Sequence, residues 1–172
     1  GALRLQGGAN FATAAGGTFT VANGALEVGE GSIFDVTHGR LVFNTFNTTA
    51  SPPVVNNGLI SLNHSGTTAA VLEVASDLTL SGQGSLLLSD FAGNEILSSN
   101  GARLTNGSSH VIVGSGTISA PLVNQGTIQS LGSAGLRITG GLTNSGLVLA
   151  TGEVTTSDYE TPATFYTRAE QQ

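Results

Sequence analysis

Apolar and polar residues alternate along short stretches of this chain, and each stretch runs into a corner of asparagine, glycine or serine. The clearest are Gly126-Thr127-Ile128-Gln129-Ser130 and Gly135-Leu136-Arg137-Ile138-Thr139. A period of two is the mark of a half-buried strand. The pattern therefore predicts that Ile128, Leu136 and Ile138 point inward, with Thr127, Gln129 and Arg137 outward.

The stretches are not independent. A signature of asparagine and glycine followed by an apolar run recurs as Ala22-Asn23-Gly24-Ala25-Leu26, Asn56-Asn57-Gly58-Leu59-Ile60, Leu122-Val123-Asn124-Gln125-Gly126 and Leu142-Thr143-Asn144-Ser145-Gly146. Looser copies stand at Thr37-His38-Gly39, Ser81-Gly82-Gln83-Gly84 and Asn106-Gly107-Ser108. Recurrence at intervals of about 15 to about 26 residues indicates a solenoid. Asn23, Gly24, Asn57, Gly58, Asn124, Gly126, Asn144 and Gly146 are then its structural corner residues. Asparagine and glycine tolerate the left-handed backbone that a sharp bend asks for, and equivalent asparagine amides can stack into a ladder. The competing reading is a series of β-hairpins with Asn-Gly turns in an antiparallel sandwich. Hairpins would not require the units to resemble one another.

The expected fold is all-β, a single-stranded parallel β-helix of about eight rungs, with two or three strands in each. New rungs open at Thr18, Ser32, Val54, Leu78, Arg103, Leu122 and Leu142. A body of this kind, roughly 40 Å long at about 4.8 Å per rung, has two open ends whose strand edges must be capped, covered or paired.

Function is expected where the repeat breaks. Residues 44–53 form an insertion, with Asn44, Phe46 and Asn47 as a candidate binding loop on a rigid scaffold. Residues 1–152 read as the solenoid and 153–172 as a C-terminal cap or an inter-subunit docking segment. Both tyrosines of the chain fall in that segment, and Tyr159, Phe165 and Tyr166 are candidate docking residues. Leu3 and Leu5 are their counterparts at the uncapped opposite end, which a neighbouring molecule could extend by β-augmentation.

Composition narrows the function classes. Of the 172 residues, 39% are hydrophobic and only 9% charged, against about 25% charged in ordinary soluble domains. The surface must be mostly Ser, Thr, Asn and Gly, as in an extracellular polymer. The five cations are scattered arginines within a net charge of −6. Nucleic acid needs clustered cations and is not expected as a partner. With no Cys, disulfides and thiolate metal sites are excluded. No apolar stretch approaches the roughly 20 residues of a membrane span, so direct membrane insertion is not expected. The chain begins at Gly1 without any Met, and is expected to be a processed protein or part of a longer one.

Catalytic chemistry finds little footing. Glycoside hydrolysis needs two converging carboxylates, and the acids recur at no fixed rung position. The nearest groupings are Glu27, Glu30 and Asp35, and Asp90 with Glu95. His38, His64 and His110 are too dispersed for a metal site, although His38 and His110 both lie near a corner motif. No enzyme activity, cofactor or metal is expected.

Ser115-Gly116-Thr117-Ile118-Ser119-Ala120, the runs from Leu122 and Leu142 quoted above, and Leu78-Thr79-Leu80-Ser81-Gly82 together resemble the repeats of large secreted bacterial β-solenoid proteins. These are the autotransporter passenger domains and filamentous-haemagglutinin-like adhesins. The resemblance covers roughly residues 18 to 152 and implies a right-handed parallel β-helix, secretion to the cell surface or extracellular matrix, and a role in adhesion or structure. Three expectations follow. The first is a surface component whose copies associate end to end into a filament. The second is a glycan- or receptor-binding fragment of a larger adhesin. The third, a polysaccharide-degrading β-helix, is the least supported by the acids.

Overall fold

Leu26 pairs with Leu3 of the preceding turn and Val54 of the next, so parallel neighbours along a sheet lie one full turn apart in sequence. This is the relationship that defines a solenoid and excludes a chain of hairpins. The computed structural model describes residues 1–44 and 54–150, together with the backbone of three short strands beyond them. The expected binding-loop residues Phe46 and Asn47 lie outside the described residues.

The first turn is β1 (Ala2–Leu5), β2 (Asn10–Ala12) and β3 (Thr18–Ala22); the second is β4 (Ala25–Val28), β5 (Ile33–Thr37) and β6 (Arg40–Asn44). The third is β7 (Val54–Asn56), β8 (Leu59–Asn63) and β9 (Val71–Val74), and the fourth β10 (Leu78–Ser81), β11 (Ser85–Leu88) and β12 (Glu95–Ser98). The fifth is β13 (Leu104–Asn106), β14 (Val111–Gly114) and β15 (Gly116–Ile118), and the sixth β16 (Leu122–Asn124), β17 (Thr127–Ser130) and β18 (Leu136–Ile138). Then come β19 (Leu142–Asn144), β20 (Leu147–Ala150), β21 (Val154–Thr156), β22 (Tyr159–Glu160) and β23 (Phe165–Thr167).

These strands form three parallel sheets of eight, eight and seven strands, here sheets A, B and C in the order in which the chain visits them. The fold is thus an all-β, three-sided parallel β-solenoid. One expectation about the repeat is corrected. Thr18 and Ser32 do not open turns: Thr18 begins the third strand of the first turn, and Ser32 lies between β4 and β5. The second turn begins at Ala25, which pairs with Ala2. Residues 1–44 therefore hold two turns, and short-range alternation alone cannot tell a new strand from a new turn.

Alternation along each strand fills the interior. Ile128, Leu136 and Ile138 are almost fully buried, whereas Thr127 and Gln129 are half-buried and Arg137 is exposed. The same inward positions carry Leu26, Phe34, Leu41, Ile60, Leu72, Leu86, Ile96, Leu104 and Ile112 into one continuous core. In the first two turns the core is aromatic. Phe11 stacks on Phe34 with centroids 5.0 Å apart, and Phe19 meets both edge-on at 5.3 and 5.4 Å. Such offset and edge-on pairs add stabilisation beyond burial.

Beyond residue 150 the sheets continue. β21 pairs with β18, β22 with β19 and β23 with β20, all parallel, so that Tyr159 is the register partner of Leu142 and Phe165 that of Val148.

Candidate functional site

The corner between sheets A and B is the most elaborated part of the molecule, because it puts polar side chains inside. Asn56, Asn106, Asn124 and Asn144 each end a strand of sheet A, and all are buried. A buried amide must be satisfied or it costs a large part of its hydration energy. Here the amides satisfy one another. Asn106 Nδ2 donates to Asn124 Oδ1 at 2.7 Å, and Asn124 Nδ2 to Asn144 Oδ1 at 2.6 Å. The same amides reach the backbone of the following turn, Asn106 to the Thr127 carbonyl at 3.1 Å and Asn124 to the Leu147 carbonyl at 3.2 Å. Asn106 and Asn124, and Asn56 through the Ser85 carbonyl, thereby tie the end of one sheet-A strand to the start of the next turn's sheet-B strand.

The fourth turn interrupts the series. Its Leu80 is the register partner of Asn106, and its corner, Ser81-Gly82-Gln83-Gly84, offers no inward amide. His110 fills the break. Its fully buried ring lies between Asn56 and Asn106, with Nδ1 2.8 Å from Asn106 Oδ1 and Nε2 3.1 Å from Asn56 Nδ2. An amide oxygen only accepts and an amide nitrogen only donates. The neutral tautomer with its proton on Nδ1 is therefore the one that fits. Burial pushes the imidazole down to about 4, from an ordinary value of 6.5. The result is one polar column, Asn56–His110–Asn106–Asn124–Asn144, in which every donor points the same way.

Of the expected corner residues, Asn124 and Asn144 lie side by side in this column. Asn57 does not: it is exposed, its neighbour Asn56 is the buried member, and the Asn57 Oδ1 accepts from the Gln83 backbone N–H at 3.0 Å. Asn23 and Gly24 sit at a different corner, between sheets C and A, where Asn23 is exposed with φ of 49°. The physical role expected of the glycines is also revised. Gly24, Gly58, Gly126 and Gly146 are not among the residues with positive φ. They are needed because successive turns touch: a Cβ on Gly126 would stand 2.3 Å from the Gly107 and His110 carbonyl oxygens, and one on Gly146 would stand 2.1 Å from the Gly126 oxygen.

A second corner feature escapes sequence reading altogether. Asp90, between sheets B and C, accepts the backbone N–H groups of Ser133 and Ala134 at 2.9 Å each, and the Ser133 and Ser115 hydroxyls at 2.9 and 3.0 Å. These donors, the Ser133 backbone first, hold its carboxyl well below the usual carboxylate range. Asp90 thus fastens a loop 43 residues downstream. Glu95 accepts from Ser119 Oγ at 2.7 Å. Asp35 is bound by Ser61, Asn63 and Thr37, and Glu27 pairs with Arg4 at 2.7 Å in the neighbouring turn. Glu27, Asp35, Asp90 and Glu95 each bind a side chain or backbone group of another turn.

The histidines are separated: His110 is at the A–B corner, while His38 and His64 follow β5 and β8 at the B–C corner. Among the described residues no three His, Asp or Glu side chains are grouped to hold a metal, and no helix is long and apolar enough to cross a membrane. Leu5 is buried in the first turn and Leu3 packs against the core from a partly buried position. Asn44 ends β6. Outside the A–B corner runs a shallow polar groove lined by Asn57, Thr79, Ser81, Gln83, Ser108 and Gln125.

Fold and corner together define the class, a three-sided parallel β-solenoid with an internal asparagine column. No protein-family model, no curated protein and no solved structure matches the chain.

Proposed function

We propose that this chain is a non-enzymatic structural β-solenoid of a secreted, cell-surface or extracellular-matrix assembly, in which copies stack end to end into a filament. The observation that carries the reading is the regular parallel continuation of the repeat through all three sheets, with β21, β22 and β23 pairing in turn with β18, β19 and β20. A repeat that adds turn on turn in this way offers each sheet to a further turn of the same kind, and a second copy can supply it. The low charge density supports stacking, since like charges one turn apart would repel. Removing residues 155–172 is the test: filaments are lost on this reading, and their persistence unchanged would end it.

The groove along Asn57, Gln83 and Gln125 favours a second reading, a glycan-binding surface of an adhesin. Amides and hydroxyls in a row match the hydroxyl groups of a polysaccharide. Binding of the monomer on a glycan array, lost in N57A/Q83A, would support it over filament formation.

A further inference from the structure

The polar column contains one group that can change its charge, and it sits where the column has no other way to close. The neighbours of His110 are fixed independently. Asn56 Oδ1 accepts the Gly58 backbone N–H at 3.1 Å, and its Nδ2 also donates to the Ser85 carbonyl at 2.9 Å. Turning that amide over to offer its oxygen to a protonated ring would forfeit both bonds. Asn106 is likewise held by Asn124, Thr127 and the His110 carbonyl. A proton on Nε2 therefore meets an N–H donor inside a fully buried corner, with no countercharge on the surrounding strands.

That absence of countercharge is complete on the elements around the ring. β7, β8, β10, β11, β13, β14, β16 and β17 contain no Asp, Glu, Lys, Arg or His. Beyond these strands, Glu27 on β4 pairs with Arg4, Asp35 on β5 is bound by Ser61, Asn63 and Thr37, and on sheet C Glu73 of β9 binds Arg40 and Ser99 while Glu95 of β12 binds Ser119. Asp77 and Arg103 lie at the C–A corner, and His64 and Asp90 at the B–C corner.

We propose that His110 is an acid-sensitive latch of the solenoid: when it gains a proton at Nε2, two donors oppose each other at Asn56, and the A–B corner opens between Asn56 and Asn106 while Asn106, Asn124 and Asn144 stay joined. The latch is independent of what the solenoid binds or assembles with. Its ring, reaching from the fifth turn into the gap left by the fourth, divides the column into two parts, and acid loosens one joint between them.

The test is an NMR titration of the full chain from pH 7 to pH 3, following the His110 ring nitrogens and the backbone amides. The expected result is a neutral ring protonated on Nδ1 at pH 7 that charges with a midpoint near 4. Gly58 and Ser85 should lose their native shifts with that midpoint, while Asn144 and Ser145 keep theirs. A ring that charges near 6.5 with native shifts retained, or native shifts at Gly58 and Ser85 down to pH 3, would overturn the latch. H110Q retains a donor and an acceptor but cannot titrate, so the acid response at Gly58 should vanish. An unchanged response in H110Q also overturns the proposal, and should that variant not fold, the wild-type titration decides alone.

Discussion

The Asn124 side chain donates from Nδ2 to Asn144 Oδ1 at 2.6 Å, one turn further along the solenoid. The same amide reaches the Leu147 carbonyl, so one side chain joins two sheets across two turns. N124A would leave the Asn106 amide and two carbonyls short of a partner in a buried corner. A loss of about 3 kcal/mol is expected in urea unfolding, since each orphaned buried group costs on the order of 1–3 kcal/mol.

The two asparagines of the Asn56-Asn57-Gly58 corner separate column from surface. Asn56 is fully buried and binds Gly58, Ser85 and His110, while Asn57 is exposed and makes one bond to Gln83. N56A should cost at least about 2 kcal/mol and N57A about 1 kcal/mol or less in the same measurement. Equal costs would mean that the inward amide has no special part.

Corner glycines make a different prediction from turn glycines. G126A pushes a methyl against two carbonyl oxygens at 2.3 Å and should destabilise by about 3 kcal/mol through overpacking. Gly66 has φ of 58° and open space around its Cβ position, so G66A should lose only about 1 kcal/mol of backbone strain. Thermal unfolding of the two variants checks the order.

Stability should fall with acid in a defined window. The unfolded chain takes up a proton on His110 as the pH drops below 6.5, whereas the folded chain resists until about 4. Folding is therefore weakened progressively between these values, by on the order of 3 kcal/mol once the lower one is passed. Carboxylates titrate nearby, so the quantity to measure is the difference between wild type and H110Q in urea unfolding at pH 7, 5 and 4. Relative to H110Q, the wild type should lose stability as the pH falls; a constant difference would contradict the burial of a neutral ring.

Asp90 should control a loop far from it in sequence. D90A removes the acceptor for the Ser133 and Ala134 N–H groups, and hydrogen exchange at those two amides should accelerate at least tenfold, with Ile128 and Ile138 unaffected.

Much of this was legible in the residues, and the failures have physical causes. Period-two alternation places Ile128, Leu136 and Ile138 because sheet geometry leaves no other inward positions. The recurrence of Asn124 and Asn144 at one spacing marks the column because their turns have similar length and register. The pattern finds the corners at Asn57 and Asn23 but not which way the amide faces, since the pair Asn-Gly looks the same whether the asparagine faces the core, as its neighbour Asn56 does, or solvent. It also takes Thr18 and Ser32 as turn starts, because the first two turns carry few of the corner residues that punctuate the later ones. His110 had a signal that goes unused: the fourth turn is the one with Leu80 and two glycines where its neighbours have asparagine, so a polar side chain has to reach in from an adjacent turn. The Asp90 fastening had none, because it joins loops 43 residues apart that no periodicity relates.

Negative-stain imaging of the purified chain tests the end-to-end account most directly. It predicts unbranched filaments of uniform width whose mean length increases with protein concentration. Discrete particles of about 40 Å, the length of eight stacked strands at about 4.8 Å, at every concentration would contradict it.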